Sequence, residues 1–406
     1  MSSPAAVPVF GEQVRERVVG RHESGRPGPT LIALGGIHGN EPAGVQALER
    51  VVAEIGRSDL SLIGSFIAVA GNLGALAKEQ RFLDRDLNRA WTSGGVAALR
   101  ARDLAHDSAE DREQREQREL LELFKDCLAR ANGPVVFLDL HTSSADGASF
   151  SCLADTIPNR RIAMSLPIPT ILGLEEAIDG SVMEFFSERG VAGLAIEGGQ
   201  HMDPRAIDNL EAGVWLTLIA TGILVEGQSE ESVDADGFRR TLRASSQGLP
   251  PVFEVRHRHL VKPDAGFVME PGFQSFQPVT KGQLLAREGV NELRAGADGC
   301  ILLPLYQGQG EDGYFLCRSV PPFWLHLAWL LRALRLDHLL QWVPGVRSDP
   351  QDHNSLLVNP RVARFRVVEI FHLLGFRQRR KAGGLLRFAR RRARPDSRDL
   401  RPRRRR

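Results

Sequence analysis

Cysteine is scarce in this chain. Its four residues, Cys127, Cys152, Cys300 and Cys317, show no CxxC spacing, so neither a disulfide framework nor a thiolate metal site is indicated, and a reducing cytoplasm is the expected setting. No run of 18 or more uncharged apolar residues occurs, which argues against a transmembrane helix. The opening MSSPAAVPVFGEQVRER lacks a basic stretch followed by an apolar core, so no secretory signal is expected. A composition of 42% hydrophobic and 25% charged residues is ordinary for a globular chain and excludes wholesale disorder or a fibrous architecture. The 406 residues exceed what one core needs, since single cores seldom grow past ~250–300 residues. Net charge is only +2, yet 21 basic residues face 6 acidic ones from Val320 to Arg406, while the preceding 319 residues carry 31 basic against 44 acidic. An acidic body thus precedes a basic end.

What is present, in the first half, is an alternation of short apolar runs with helical segments. Thr30–Leu34, Leu62–Val69, Val135–Leu140, Ile168–Leu172 and Val191–Ile196 read as buried strands. Between them Pro42–Ile55 spaces Val45, Leu48, Val52 and Ile55 for a helix, Val96–Ala131 reads as one long helical stretch, and Asp203–Leu224 as a closing helix. Within the long stretch, Glu113–Glu119 (EQREQRE) reads as a solvated polar face. Such alternation predicts an α/β domain, a mostly parallel sheet flanked by helices, over residues 1–226. Residues 227–249 read as a polar linker, and the Val-, Phe-, Gly- and Pro-rich text that follows reads as short strands and turns. A small all-β domain is therefore expected over 227–319. From Pro321 the text FWLHLAWLLRALRLDHLLQWV is helical in pattern, and the final thirty residues are dominated by arginine and expected to be partly disordered, giving a helical, basic extension over 320–406.

Four motifs carry chemistry. In LIALGGIHGNEPAG a buried strand ends at Leu34, two glycines turn the chain, and His38-Gly-Asn-Glu41 precedes a helix. Open α/β sheets place their sites beyond the carboxyl ends of strands, and a His and a Glu three apart can direct N and O donors at one metal ion. Alone, this pattern also fits an ordinary loop histidine with a helix-start glutamate. A second strand, VVFLDL, runs into His141. A third ligand there would complete a His/Glu/His set with one position left open, as in catalytic zinc sites, and Asp139, on the same side of the strand, would orient the His141 ring. The third motif, Arg81-Phe-Leu-Asp-Arg-Asp-Leu-Asn-Arg89, offers guanidinium groups suited to carboxylates or to a developing oxyanion. The fourth is LAIEGGQH, where Glu197 ends an apolar strand, a placement that is costly unless the carboxyl is paired or working. His201, four residues on, is expected to line the same cleft as a packing or hydrogen-bonding residue.

Taken together, HGNE at 38–41, RFLDRDLNR at 81–89, DLHTS at 139–143 and IEGG at 196–199 resemble the succinylglutamate desuccinylase/aspartoacylase family of zinc carboxypeptidase-like hydrolases, over roughly residues 28–320. The resemblance implies a carboxypeptidase-like α/β domain with a small β domain partly covering the site. It implies one Zn2+ held by His38, Glu41 and His141, with Glu197 as general base and acid, Arg81 polarising the scissile carbonyl, and Asn88 and Arg89 holding a substrate carboxylate. The activity implied is deacylation of a small N-acyl amino acid or related N-acyl amine. Two features depart from the family pattern. The position where relatives carry a further substrate-gripping arginine is Ser187, with Arg189 nearby, and neither Tyr306 nor Tyr314 falls on a family substrate position. The alternatives are a zinc carboxypeptidase acting on C-terminal peptide bonds, or a binding or scaffold protein that uses its basic tail. For that tail the sequence leaves open a packed accessory segment, contact with nucleic acid or anionic lipid, and docking on the acidic body of a second copy in a homo-oligomer.

Overall fold

A computed structural model describes residues 16–58, 60–105, 111–225, 233–262 and 264–321; beyond these it describes 323, 334, 340, 342–350, 352–359, 362, 376–382 and 385–390. Its strands are β1 (Val18–Glu23), β2 (Thr30–Gly35), β3 (Ser65–Ala70), β4 (Val135–Ser143), β5 (Phe150–Cys152), β6 (Thr170–Leu172), β7 (Ala192–Gln200), β8 (Val252–Leu260), β9 (Phe267–Met269), β10 (Pro278–Val279), β11 (Leu284–Glu288), β12 (Asn291–Arg294), β13 (Gly299–Leu302), β14 (Asp312–Ser319), β15 (Val346–Asp349), β16 (Asp352–Val358), β17 (Phe376–Ala382) and β18 (Leu385–Arg390). Its helices are α1 (Ala43–Arg57), α2 (Leu73–Leu76), α3 (Ser93–Ala105), α4 (Arg112–Arg130), α5 (Ile157–Ala163), α6 (Leu174–Ala177), α7 (Val182–Glu188), α8 (Arg205–Ala220) and α9 (Ala235–Ser245).

One 11-stranded sheet in the order β1-β3-β2-β4-β7-β5-β6-β8-β14-β13-β10 organises the molecule. Its centre, β3-β2-β4-β7, is parallel. Parallel strands are covered on both faces and read as continuous apolar runs, which is why TLIAL and VVFLDL are legible; every residue of β2 is buried. Two cores flank this centre. On one side α1 and α8 pack against Leu31, Leu138 and Leu194. On the other, Trp91, Phe124, Phe185 and Phe186 cluster over Ile32 and Phe137.

The sheet does not stop where the α/β text ends. Strand β8 pairs in parallel with β6 and antiparallel with β14, so the β-rich residues after 250 extend the same sheet, with β9, β11 and β12 forming a separate three-stranded layer.

Several local expectations give way. The long stretch from Val96 is two helices: α4 starts at its own capping box, in which Asp111 and Gln114 satisfy each other's backbone N–H groups. Its EQREQRE segment is solvated only in part: Arg115 and Glu119 are exposed, but Glu113 and Gln117 are buried at 0% and 1% exposure against the loop before α3. Residues 235–245, read as linker, form α9, whose Leu242 is buried. The described part of the basic extension is a four-stranded antiparallel sheet, β15-β16-β18-β17. Leu386 and Phe388 point into its core while Arg387 between them pairs with Asp349 at 2.7 Å, an alternation hidden within a charge run. The helical reading of 321–341 falls mostly on residues 324–333 and 335–339, and the arginine run on 391–406; these lie outside the described residues. All four cysteines are free. Among the described residues, no helix is long and apolar enough to cross a membrane.

Candidate active site

The site lies at the carboxyl ends of β2, β4 and β7. After β2, Gly36 adopts φ +69°, a conformation that side chains with a Cβ avoid, and the chain turns back to present His38. A Cβ at Gly39 would stand 2.1 Å from the Ala75 carbonyl carbon, so only glycine fits between His38 and Asn40. Helix α1 begins two residues after Glu41.

The turn places the His38 and Glu41 side chains together, with Nδ1 of His38 2.8 Å from Glu41 Oε1. His141, on β4, brings its Nδ1 to 3.0 Å from Glu41 Oε2, and the Thr142 N–H donates to that same oxygen at 3.1 Å. One ligand atom from each of His38, Glu41 and His141 lies within 4.8 Å of the others, and all three residues are buried. Each imidazole also has a second carboxylate behind it. Nε2 of His38 faces Asp86 at 3.2 Å, and Nε2 of His141 faces Asp139 at 3.1 Å. Two imidazoles and one carboxylate, backed in this way, form a donor set that suits a zinc ion.

Charge accounts for the state of these groups. Burial pushes Glu41 up, but the two histidines hold its carboxyl well below the usual carboxylate range. Asp86 is likewise held low against burial by His38 and Arg81. His141 is raised well above the usual imidazole value by Asp139 and Glu41, against the opposing effect of burial. The carboxylates of Glu41, Asp86 and Asp139 thus lie against the two imidazoles.

Glu197 stands beside His141, the two being partners in the parallel register of β4 and β7. Burial pushes its carboxyl up to about 7, opposed by His141, assisted by Glu41, and opposed again by His38 and Arg81. Its Oε2 is buried with no hydrogen-bond partner.

Arg81 reaches in from the loop after α2. It donates to Asp86 Oδ2 at 3.1 Å and Glu41 Oε1 at 3.4 Å, and its Nη2 lies 2.9 Å from His38 Nε2. The loop is held by the buried Glu113, whose carboxylate accepts from Asn72 Nδ2 (3.1 Å) and from the N–H groups of Leu83 (2.7 Å), Asp84 (2.9 Å) and Arg85 (3.3 Å). The loop is tied to the metal-site turn by Gly39 N–H donating to Arg81 O at 3.1 Å.

Asn88 and Arg89 occupy the short 3-10 turn that follows. The Asn88 Oδ1 accepts from Val182 N–H at 2.9 Å, which leaves its amide NH2 as the free donor. Arg89 is committed: Nη1 donates to Asn88 O at 2.9 Å and Nη2 to Asp312 Oδ2 at 2.7 Å. Arg189 does not stand in for an arginine at Ser187, because its guanidinium lies 3.6 Å over the Phe185 ring and donates to Phe185 O.

All seven sequence-derived candidates, His38, Glu41, Arg81, Asn88, Arg89, His141 and Glu197, line one cavity of about 140 Å3. The segment joining β13 to β14 roofs it. Asn40 donates to Gln307 at 2.7 Å, the Tyr306 N–H to Ser144 at 3.1 Å, and Gln309 to Phe82 O at 3.2 Å. His201 also lines the cavity, with Nδ1 2.8 Å from Thr142 Oγ1 and Nε2 3.2 Å from Gln307. Residues that the sequence did not single out are Asp86, Glu113, Gln307 and Asp312. Asp86 lay inside the RFLDRDLNR motif; Asp312, 223 positions from Arg89, had no local signal.

The family model described as "Succinylglutamate desuccinylase/Aspartoacylase catalytic domain" matches residues 27–218, a range that contains all seven candidates. A succinylglutamate desuccinylase of Ectopseudomonas mendocina is 36% identical over 87 residues, 20% of this chain and 26% of that protein. One of Burkholderia thailandensis is 27% identical over 268 residues, 64% of this chain and 70% of that protein. The chain thus spans about a quarter of the length of the first curated relatives it matches. A crystal structure of succinylglutamatedesuccinylase/aspartoacylase from Rhodobacter sphaeroides superposes with a TM-score of 0.52 at 19% identity, covering 73% of this chain and 86% of that one, a likeness of fold.

Proposed function

We propose, from the premise that this chain belongs to the succinylglutamate desuccinylase/aspartoacylase family, that it is a zinc-dependent hydrolase. In this reading it cleaves the amide bond of a small N-acyl amino acid or related N-acyl amine in the cytoplasm. The observation that carries the reading is the convergence of His38, Glu41 and His141 on one point with Glu197 next to them in register.

His38, Glu41 and His141 would hold the ion, with Asp86 and Asp139 fixing the two rings. Bound there, zinc would supply Lewis acidity, polarising an amide carbonyl and making a water molecule more acidic. Glu197 Oε2, buried and unbonded, takes a proton from the attacking water and returns it to the leaving nitrogen. Burial raises this carboxyl above the usual carboxylate range, which suits it to both steps, since an acid–base group works best with a pKa near the working pH. Arg81 lies within 3.4 Å of Glu41, placed to stabilise the oxyanion that develops as water adds. Asn88 offers its amide NH2 to the substrate. The roof over residues 303–312 narrows the site, and a cavity of about 140 Å3 against the ~300–1,000 Å3 of drug-sized sites favours small amides over peptides.

The test is a deacylation screen of the zinc-loaded protein over N-acetyl, N-succinyl and longer N-acyl amines and amino acids. Metal-dependent release of free amine from at least one class is expected; no release from any compound by protein that has bound zinc would refute the reading.

A further inference from the structure

We propose that Asp312 is a specificity-determining residue. As a carboxylate built into the protein, it occupies the guanidinium of Arg89 and turns the site away from substrates that carry a carboxylate beside the scissile amide, towards N-acyl amines that are neutral or cationic there. The inference rests on the amide-hydrolase reading above and narrows its substrate class.

Asp312 is held firmly from two sides. One of its oxygens takes Arg89 Nη2 at 2.7 Å and the other takes Arg258 Nε, and Arg258 is itself bound to Ala177 O. Both partners of the Arg89–Asp312 pair are 16% exposed, so water competes weakly for either group. The negative charges of Asp86 and Glu311 bear on Arg89 as well. The guanidinium therefore has more than its share of compensation before any ligand arrives.

Among the described residues lining the cavity, no other guanidinium takes its place. Arg81, the second guanidinium among the described residues lining the cavity, is bonded to Asp86 and Glu41. Position 187 is a serine, and Arg189 stacks on Phe185. A substrate carboxylate reaching for Arg89 would meet Asp312 in its seat and Glu311 beside it, a like-charge juxtaposition. An ammonium or hydroxyl group would meet the same two carboxylates favourably. The Arg89 Nε, buried without a partner, remains to serve a neutral acceptor such as an amide oxygen.

Two compounds that differ by one carboxylate test this: N-acetylornithine, which has it beside the amide, and N-acetylputrescine, which lacks it. The wild type is expected to favour N-acetylputrescine in kcat/KM by about tenfold or more, and Asp312→Asn or Asp312→Ser to shrink or reverse that ratio. Independently of turnover, calorimetry with glutarate should show no binding to the wild type and measurable binding to Asp312→Asn. A wild type that cleaves N-acetylornithine as well as N-acetylputrescine, or that itself binds glutarate, overturns the proposal even if the variants fail to fold. No turnover of either compound leaves the hydrolase reading to the wider acyl screen, while glutarate binding gained in Asp312→Asn upholds the roles of Arg89 and Asp312.

Discussion

Replacing Glu113 by alanine removes a carboxylate that no part of the proposed chemistry touches, yet the structure makes it the anchor of the Arg81 loop. The side chain is fully buried and accepts from the Asn72 amide and three successive backbone N–H groups, at 3.1, 2.7, 2.9 and 3.3 Å. Leaving a buried donor unsatisfied costs about 1–3 kcal/mol. The loop is only part-buried, so water will satisfy some of these donors, and a loss on the order of 3–5 kcal/mol is expected. For a chain of this size that corresponds to a fall in melting temperature of roughly 4–6 °C. Glu113→Gln keeps one acceptor oxygen and turns an NH2 towards the other donors, so about half that loss is expected. Because the loop carries Arg81 and is bonded to Gly39, kcat should fall along with stability. Calorimetric melting with parallel kinetics reads both. A solvated glutamate on a helix surface would change stability by about 0.5 kcal/mol or less; melting within a degree of wild type would refute the anchoring role.

Other consequences are simpler. Glu197→Gln should lower turnover by roughly 10²–10⁴ with zinc content unchanged, measured by rate assay and metal analysis on the same sample; activity within about tenfold of wild type would remove Glu197 from the chemistry. Asp139→Asn keeps the shape at 3.1 Å from His141 Nε2 but removes the charge, and zinc affinity in equilibrium dialysis should fall about 10–100-fold. Zinc should also raise the melting temperature of stripped protein, by about 2.7 kcal/mol of added stability at a hundred times its dissociation constant, and a chelator should reverse the shift.

The sheet centre and the site were legible for one physical reason. Parallel strands buried on both faces leave uninterrupted apolar runs, so the polar residues at their ends, His38, His141 and Glu197, stand out against them. What was not legible depends on contacts distant in sequence. EQREQRE has the composition of a solvated helix face, and Glu113 is buried only because the Arg81 loop folds back over it. Strand β1 lies at the sheet edge with most residues half-exposed, so its apolar signal is weak. The Asp312–Arg89 pair joins residues 223 positions apart, and no local pattern announces it. In the basic extension the buried Leu386 and Phe388 are separated by one arginine, and a run of charge masked a strand period.

The proposed hydrolysis requires that His38, Glu41 and His141 bind one divalent cation. Metal analysis of the full-length protein after removal of loosely held ions tests it most directly, comparing wild type with His38→Ala and His141→Ala. About one zinc per wild-type chain is expected, with its loss from both variants. A wild type that takes up no zinc, or variants that keep it at full stoichiometry, would contradict the account.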